Sequence, residues 1–187
     1  MGTKNGMNVI VKNHDDNWKN LFQVEANCIR EILKDELIEI HHIGSTSVPN
    51  LKAKPIIDML PVVKNIENID KYNGQLAEIG YEGLGEFGLP GRRYFRKGGE
   101  NRTHQMHMYQ FDNEKEIERH LAVPAYLSAH EDEMKAYGEL KAQLAEKFPN
   151  DIYGYMDGKD AFVKEIERKA IEWRKTNKAH YTFNHDN

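Results

Sequence analysis

The sequence has little of what marks a secreted, membrane-spanning or disulfide-bonded protein. Cys28 is the single cysteine among 187 residues, so no intramolecular disulfide can form, which is usual in a reducing compartment. No apolar run approaches the roughly 20 residues of a membrane span. The first residues also lack the apolar segment of a secretion signal. We therefore expect a cytoplasmic protein without a membrane partner.

An excess of charge of one sign is also absent. The 26 basic and 30 acidic side chains leave a net charge of −4. This balance lacks the broad basic surface that supports non-specific nucleic-acid binding, so we expect no nucleic-acid partner, although a local basic patch stays open. The length favours a single domain over residues 1–187, with a core at about 15–175 and a polar tail at 177–187. The sequence leaves the oligomeric state open.

Hydrophobic periodicity predicts a mixed α+β architecture. Helical spacing indicates one helix before the first strand, and alternation predicts strands near 38–43, 56–63, 92–97 and 103–111. The last two predicted strands form a hairpin. Four further helices are predicted, at 65–79, 112–121, about 124–148 (one long or broken helix) and 159–175. The fold class is therefore α+β, a mixed sheet flanked by helices with further helices at the C-terminus.

The stretch between residues 38 and 60 carries the strongest signal for a functional site. A half-buried strand ends at Gly44, where a backbone amide can approach a ligand closely, and the hydroxyls of Ser45 and Thr46 follow. Such a turn can receive a phosphate, or it can simply cap a short helix. Asp58 lies inside the next apolar run, where a carboxylate is costly to bury unless it is paired or bound.

These residues resemble the GrpB family. The resemblance rests on the sequence GSTSVP at 44–49 followed by KPIID at 54–58, and it extends from about Trp18 to about Ala170. It implies a nucleotidyltransferase fold. It also implies an accessory role as one option, because members of the family occur fused to dephospho-CoA kinase. The family as such supplies no substrate.

The resemblance implies a role for each matching position. In nucleotidyltransferases a Gly-Ser turn holds phosphates, and paired carboxylates hold divalent cations that assist the transfer. Gly44 and Ser45 match the turn, and Asp58 matches the first carboxylate. The second carboxylate position falls on Leu60, which cannot bind a metal. This departure leaves catalysis by a pair of magnesium ions in doubt.

Two histidines are candidates to complete a site with Asp58. His104 and His107 lie three apart on one predicted strand, so they face opposite sides. The resemblance places His107 nearer the third-carboxylate position, so we favour His107 as the neighbour of Asp58. His42 precedes the glycine turn and is predicted to join them. An aspartate with two imidazoles suits manganese or zinc better than magnesium. Half-buried histidines with ordinary hydrogen bonds are the alternative. The sequence predicts no organic cofactor.

Three basic residues are candidates for anion binding. Lys54 precedes a proline and is therefore extended, and Arg93 lies on a strand rich in basic residues, where a guanidinium could grip a phosphate. Lys159 falls in the predicted first turn of the last helix, where the helix dipole disfavours a cation, which suggests a ligand there. Solvated surface positions are the alternative for all three.

Together these features predict a protein that binds a nucleotide or another phosphorylated small molecule. Gly44, Ser45, Thr46, Lys54, Arg93 and Lys159 are the predicted ligand-binding residues. Asp58 and His107 are the predicted catalytic pair for a nucleotidyl or phosphoryl transfer, assisted by a divalent metal (Mg, Mn or Zn). A catalytically silent binding or accessory module is the main alternative, and an interaction protein that docks a partner through its C-terminal helices is a third.

Overall fold

A computed structural model of the chain describes residues 8–177. The predicted polar tail at 177–187 lies outside these residues except for Asn177. Five strands form the sheet: β1 (Leu37–Ile43), β2 (Ile57–Val63), β3 (Tyr81–Gly83), β4 (Arg92–Lys97) and β5 (His104–Gln110). Five α-helices surround it: α1 (Asn17–Leu33), α2 (Asn73–Glu78), α3 (Glu114–Ala129), α4 (Glu131–Lys147) and α5 (Ile152–Thr176).

The sheet is mixed, which confirms the predicted α+β class. Its spatial order is β1-β2-β5-β4-β3. β2 and β5 run parallel at the centre, whereas every other neighbouring pair is antiparallel, including the predicted β4–β5 hairpin. Parallel neighbours need a long crossover connection. Residues 64–103 supply it here and themselves contribute β4 and the edge strand β3.

The two faces of the sheet are covered by different parts of the chain. On one face α1 and α2 pack against Met59, Phe95 and Met106 in the main hydrophobic core. On the other face Leu60 and Tyr109 pack against Ile117 of α3. Because successive strand residues point to opposite faces, Asp58 shares the second face with Leu60. α3, α4 and α5 pack on one another beyond this face and form its outer wall.

Three predicted helix boundaries were wrong. The segment predicted as one helix at 65–79 is a 3₁₀ turn at Ile66–Tyr72 followed by the short α2. Pro124, predicted to start a helix, lies inside α3, and the chain breaks at His130 instead. Buried residues on both sides of Pro124 hold α3 together, so packing overrides the local preference of proline. The last helix begins at Ile152 rather than at 159.

Among residues 8–177, no helix combines the length and apolar character needed to cross a bilayer.

Candidate functional site

The glycine turn and the aspartate meet at the end of β1 and β2. Asp58 is paired with Ile43 in the β1–β2 register, so its side chain lies beside the turn that follows. Gly44 has a φ of 70°, and a Cβ built there would lie 2.7 Å from Asp58 Oδ2. Only glycine therefore allows the turn to approach the carboxylate this closely. The convergence predicted from the sequence is present.

The rest of the turn is held by its own hydrogen bonds. Ser47 Oγ donates to the Gly44 carbonyl at 2.6 Å, and the Ser47 amide donates to the same carbonyl at 3.2 Å. Thr46 is buried, and its Oγ1 is hydrogen-bonded to His42 Nε2 at 2.9 Å. Ser45 lines two neighbouring cavities with Asp58. Thr46 therefore fixes the turn through this bond, and both Ser45 and Thr46 line the first cavity.

The predicted ligand trio of Asp58, His42 and His107 is not assembled. His42 is paired with Met59, so it lies on the opposite face of the sheet from Asp58. Its ring stacks on Phe22 of α1 with the ring centroids 4.9 Å apart. Burial lowers the pKa of His42 to about 4, although Asp58 partly opposes the shift. His42 is thus a neutral residue that supports the turn, and its assignment as a metal ligand is corrected.

His107 lies beside Asp58, as the family resemblance implied. Its Nε2 is 3.5 Å from Asp58 Oδ1, and its Nδ1 is 3.5 Å from a terminal nitrogen of Arg92. If Nε2–H faces the carboxylate, Nδ1 is free to accept from the guanidinium. His104 faces the other side of β5, towards Tyr81. The arrangement makes His107 a residue that orients Asp58 rather than a free base.

The side chains do not fit the pair of magnesium ions that the family resemblance implies. Asp58 is the one carboxylate among the described residues that line the first cavity. Leu60 is fully buried in an apolar cluster, and β5 places Gln105 beside Asp58 where oxygen-rich ligands would be needed. Within residues 8–177, no three His, Cys, Asp or Glu side chains are grouped to hold an ion.

Cations dominate the first cavity, which has a volume of about 220 Å³. It is lined by four basic side chains: Lys54, Arg102, Lys141 and Lys159. Both Lys54 and Lys159 lie over the ring of Tyr155, with the ammonium nitrogens 5.1 and 5.4 Å from its centroid. Burial lowers the pKa of Lys54 to about 8, and Lys159 lowers it further, against Asp58. Such a cavity is built for an anion.

A second cavity, of about 420 Å³, adjoins the first. The two share five lining residues: Ser45, Asp58, Gln105, Met156 and Lys159. The walls that belong to the second alone include Pro124, Leu127 and Tyr137, which makes them more apolar. Asp58 therefore stands at the junction of a cationic space and a less polar one.

Two of the predicted positions differ from expectation. Arg93 lies on the other face of β4, where it forms a two-pronged ion pair with Asp70 at 2.8 and 3.2 Å. Lys159 lines both cavities, but it lies two turns inside α5, so the argument from the helix dipole does not apply. The placement of Arg93 as a ligand contact is corrected.

Sequence reasoning missed two basic residues and a tyrosine. Lys141 falls on the buried stripe of α4, seven residues after Met134, and a lysine at such a position was a readable signal. Arg102 lies in the loop before β5, where no periodicity marks it. Tyr155 is fully buried, whereas Tyr153 two residues earlier is 66% exposed, and the sequence does not distinguish the two.

Comparison with known proteins decides the family. The GrpB protein family model matches residues 8–169. The chain belongs to the GrpB family. It is 35% identical over 163 residues to glutamate-rich protein GrpB of Alkalihalophilus pseudofirmus, covering 84% of this chain and 93% of that protein. It is also 46% identical over 162 residues to UPF0157 protein YqkA of Bacillus subtilis, covering 87% of this chain but 47% of the relative, about half its length.

Solved structures confirm the fold. The crystal structure of conserved protein GrpB from Enterococcus faecalis superposes with a TM-score of 0.86 at 49% identity, covering 89% of this chain and 99% of that one. A structure of Cid1, described for its RNA terminal uridylyl transferase activity, superposes with a TM-score of 0.50 at 13% identity. The alignment covers 71% of this chain and 42% of Cid1. At that identity the likeness establishes a nucleotidyltransferase-like fold and nothing about substrate.

Proposed function

We propose that this GrpB protein binds a nucleotide or another phosphorylated small molecule across the two cavities. The observation that carries the proposal is the convergence of Ser45, in the turn after Gly44, with Lys54, Arg102 and Lys159 on one cavity. Charge-assisted hydrogen bonds from such cations to phosphate oxygens are about twice as strong as neutral ones. The phosphates occupy the cationic cavity, and the less polar neighbour takes the organic part of the ligand.

The test is ligand-dependent thermal stabilisation with nucleoside triphosphates and other phosphorylated metabolites, each with and without Mg²⁺. A ligand at 100 times its Kd stabilises the folded state by about 2.7 kcal/mol. K159Q should lose most of this gain because Lys159 lines both cavities. K164Q is the matched control, since Lys164 lies on the same helix but is exposed and paired with Asp160. Equal stabilisation of both variants, or none of the wild type, contradicts the proposal.

A second candidate function is nucleotidyl or phosphoryl transfer. The observation that favours it is the junction position of Asp58, with His107 oriented against it at 3.5 Å. In such a transfer an acceptor oxygen attacks phosphorus, the bond to the leaving phosphate breaks, and the acceptor proton passes to the Asp58 carboxylate. His107 positions that carboxylate through its own bond to Arg92.

Pyrophosphate release separates the two functions. The wild-type protein is incubated with each nucleoside triphosphate that stabilises it, in the presence of Mg²⁺ or Mn²⁺. Release that D58N abolishes while ligand-dependent stabilisation persists supports transfer with Asp58 as the base. Stabilisation without release under either metal supports the silent binding module.

A further inference from the structure

The most buried basic side chain of the first cavity is in an unusual environment. Lys141 is 1% exposed, and within residues 8–177 its Nζ has no hydrogen-bond partner. A buried amine that makes no hydrogen bond costs free energy, and such groups are rare in native proteins. The side chain nevertheless lines the cavity rather than packing against a carboxylate. This placement indicates that its partner is a ligand.

The surroundings of Lys141 supply positive charge and aromatic rings. On its own helix, the ring centroid of Tyr137 is 4.3 Å from Nζ. The other charged or titratable groups of the cavity come from three different parts of the chain: Lys159 and Tyr155 of α5, Lys54 and Asp58 at β2, and Arg102 before β5. Asp58 is the single acid in this set, so an empty cavity carries an excess of positive charge.

This environment disfavours the charged form of Lys141 in the absence of a ligand. Burial lowers the pKa of Lys141 to about 6, and the nearby Lys159 and Lys54 lower it further. At pH 7 the group is therefore mostly a neutral amine. A phosphate that enters the cavity brings the opposite charge, which favours the ammonium form.

We propose that Lys141 is the most buried phosphate-binding residue of the cavity and that it takes up a proton when a ligand carrying two or more phosphate groups enters. The inference rests on the proposed function. Lys54 and Lys159 are only partly buried, whereas Lys141 is 1% exposed, so Lys141 is the most buried of the three lysines that line the cavity. A chain of phosphates brings more negative charge to the four basic side chains than a single phosphate does, so we expect the site to prefer it.

The experiment is calorimetric titration with tripolyphosphate and with inorganic phosphate at pH 7, in two phosphate-free buffers of different ionisation enthalpy. The difference between buffers gives the number of protons taken up on binding. The variants are K141M, which replaces the amine with an apolar chain of similar length, and K135M. Lys135 lies on the same helix but is exposed and paired with Glu131, which makes K135M the matched control.

The wild type and K135M should bind tripolyphosphate more tightly than inorganic phosphate and take up close to one more proton per site than K141M. K141M should bind tripolyphosphate about tenfold more weakly, which corresponds to about 1.4 kcal/mol. The proton exchange of the ligand itself is common to all three proteins and cancels in the comparison.

The melting temperature of ligand-free K141M distinguishes a binding role from a packing role. Since the unpaired amine is costly to bury, the ligand-free variant should melt at the same or a higher temperature than the wild type. A K141M protein that binds tripolyphosphate with wild-type affinity and proton uptake overturns the inference and leaves the proposed function standing. Failure of the wild type to bind any phosphate compound overturns both.

Discussion

The two faces of the central sheet use the same two strands for different purposes. On one face Met59 and Met106 are fully buried against α1 and α2. On the other face, one residue away along each strand, Asp58 and His107 keep side-chain exposures of 26% and 18% beside an open cavity. The period of two residues in a strand thus separates the apolar core from the candidate site.

This separation explains how the protein tolerates costly features at the site. The backbone entropy lost by Gly44 and the unpaired amine of Lys141 both lower the free energy of unfolding. The apolar face supplies stability from residues that contact neither. Binding sites in general combine such local costs with a rigid scaffold that holds the geometry.

The largest loss of stability should come from a substitution on the apolar face. Met106→Ala removes a fully buried side chain from the main core and should lower the free energy of unfolding by about 2–5 kcal/mol, because a cavity remains. Asp58→Asn, on the other face, changes a partly exposed group and should alter stability by about 1 kcal/mol or less. Urea denaturation of both variants measures the difference.

Ligand binding should respond in the opposite order. Met106→Ala should keep ligand-dependent stabilisation at a temperature where it is folded, whereas a substitution at Lys159 should lose it. Equal losses of binding from both faces would show that the faces are not functionally separate.

A smaller loss of stability is expected from a substitution at Gly44, which lies in the turn beside Asp58. Gly44→Ala places a methyl group 2.7 Å from Asp58 Oδ2 on a backbone with positive φ and should cost about 2–3 kcal/mol together with ligand binding. Gly85→Ala is the matched control. Its φ is +60°, but within the described part of the chain a Cβ there meets no atom within 4 Å, so about 1 kcal/mol is expected. Thermal melts with and without ligand compare the two.

Much of the apolar framework could be predicted from the sequence. The alternation in β5 placed His104 and His107 on opposite faces, and the family resemblance then selected His107 as the neighbour of Asp58. The same rule predicted four of the strands, β1, β2, β4 and β5. Long-range contacts decided the rest: the cavity depends on α4 and α5 folding back over β2, which brings Lys141 and Lys159 to Lys54.

The wrong prediction for His42 arose because the alternation rule was applied without the pairing register between β1 and β2. His42 and Asp58 are each next to the turn, but the register pairs His42 with Met59, and adjacent register positions face opposite sides. Proximity along the chain suggested a common site. The pairing register, which separates them, depends on how β1 and β2 align and is set by packing across the whole strand.

A mutation at His42 should therefore affect stability and its pH dependence but not binding. The folded state holds the pKa of His42 near 4, below its usual value of about 6.5, so the unfolded state binds the proton first as the pH falls through this range. Stability is then lost between about pH 6.5 and pH 4. His42→Phe keeps a ring against Phe22 and removes this titration.

The expected result for His42→Phe is a loss of about 1 kcal/mol at pH 7, from the unpaired Thr46 hydroxyl. The gap to the wild type should narrow towards pH 5, because only the wild type is penalised by acid at this position. Denaturation at pH 7, 6 and 5 tests both statements. Loss of ligand-dependent stabilisation comparable with that of Lys159→Gln would return His42 to the site.

The smallest effect is expected at Arg93, which lies on the apolar side of β4 yet is paired with Asp70 at the surface. Arg93→Ala removes a two-pronged ion pair whose carboxylate is 55% exposed, and such pairs contribute about 1 kcal/mol or less. The hydrogen bond to Asp70 raises the pKa of Arg93, so the guanidinium stays charged at neutral pH. High salt should reduce the difference from the wild type, since exposed pairs are screened.

Binding of phosphorylated ligands should be unchanged, because this guanidinium is committed to Asp70 on the face away from Asp58. A specific loss of binding in Arg93→Ala would mean that a change on the core face of β4 alters the site on the other face. That result would contradict the functional separation of the two faces.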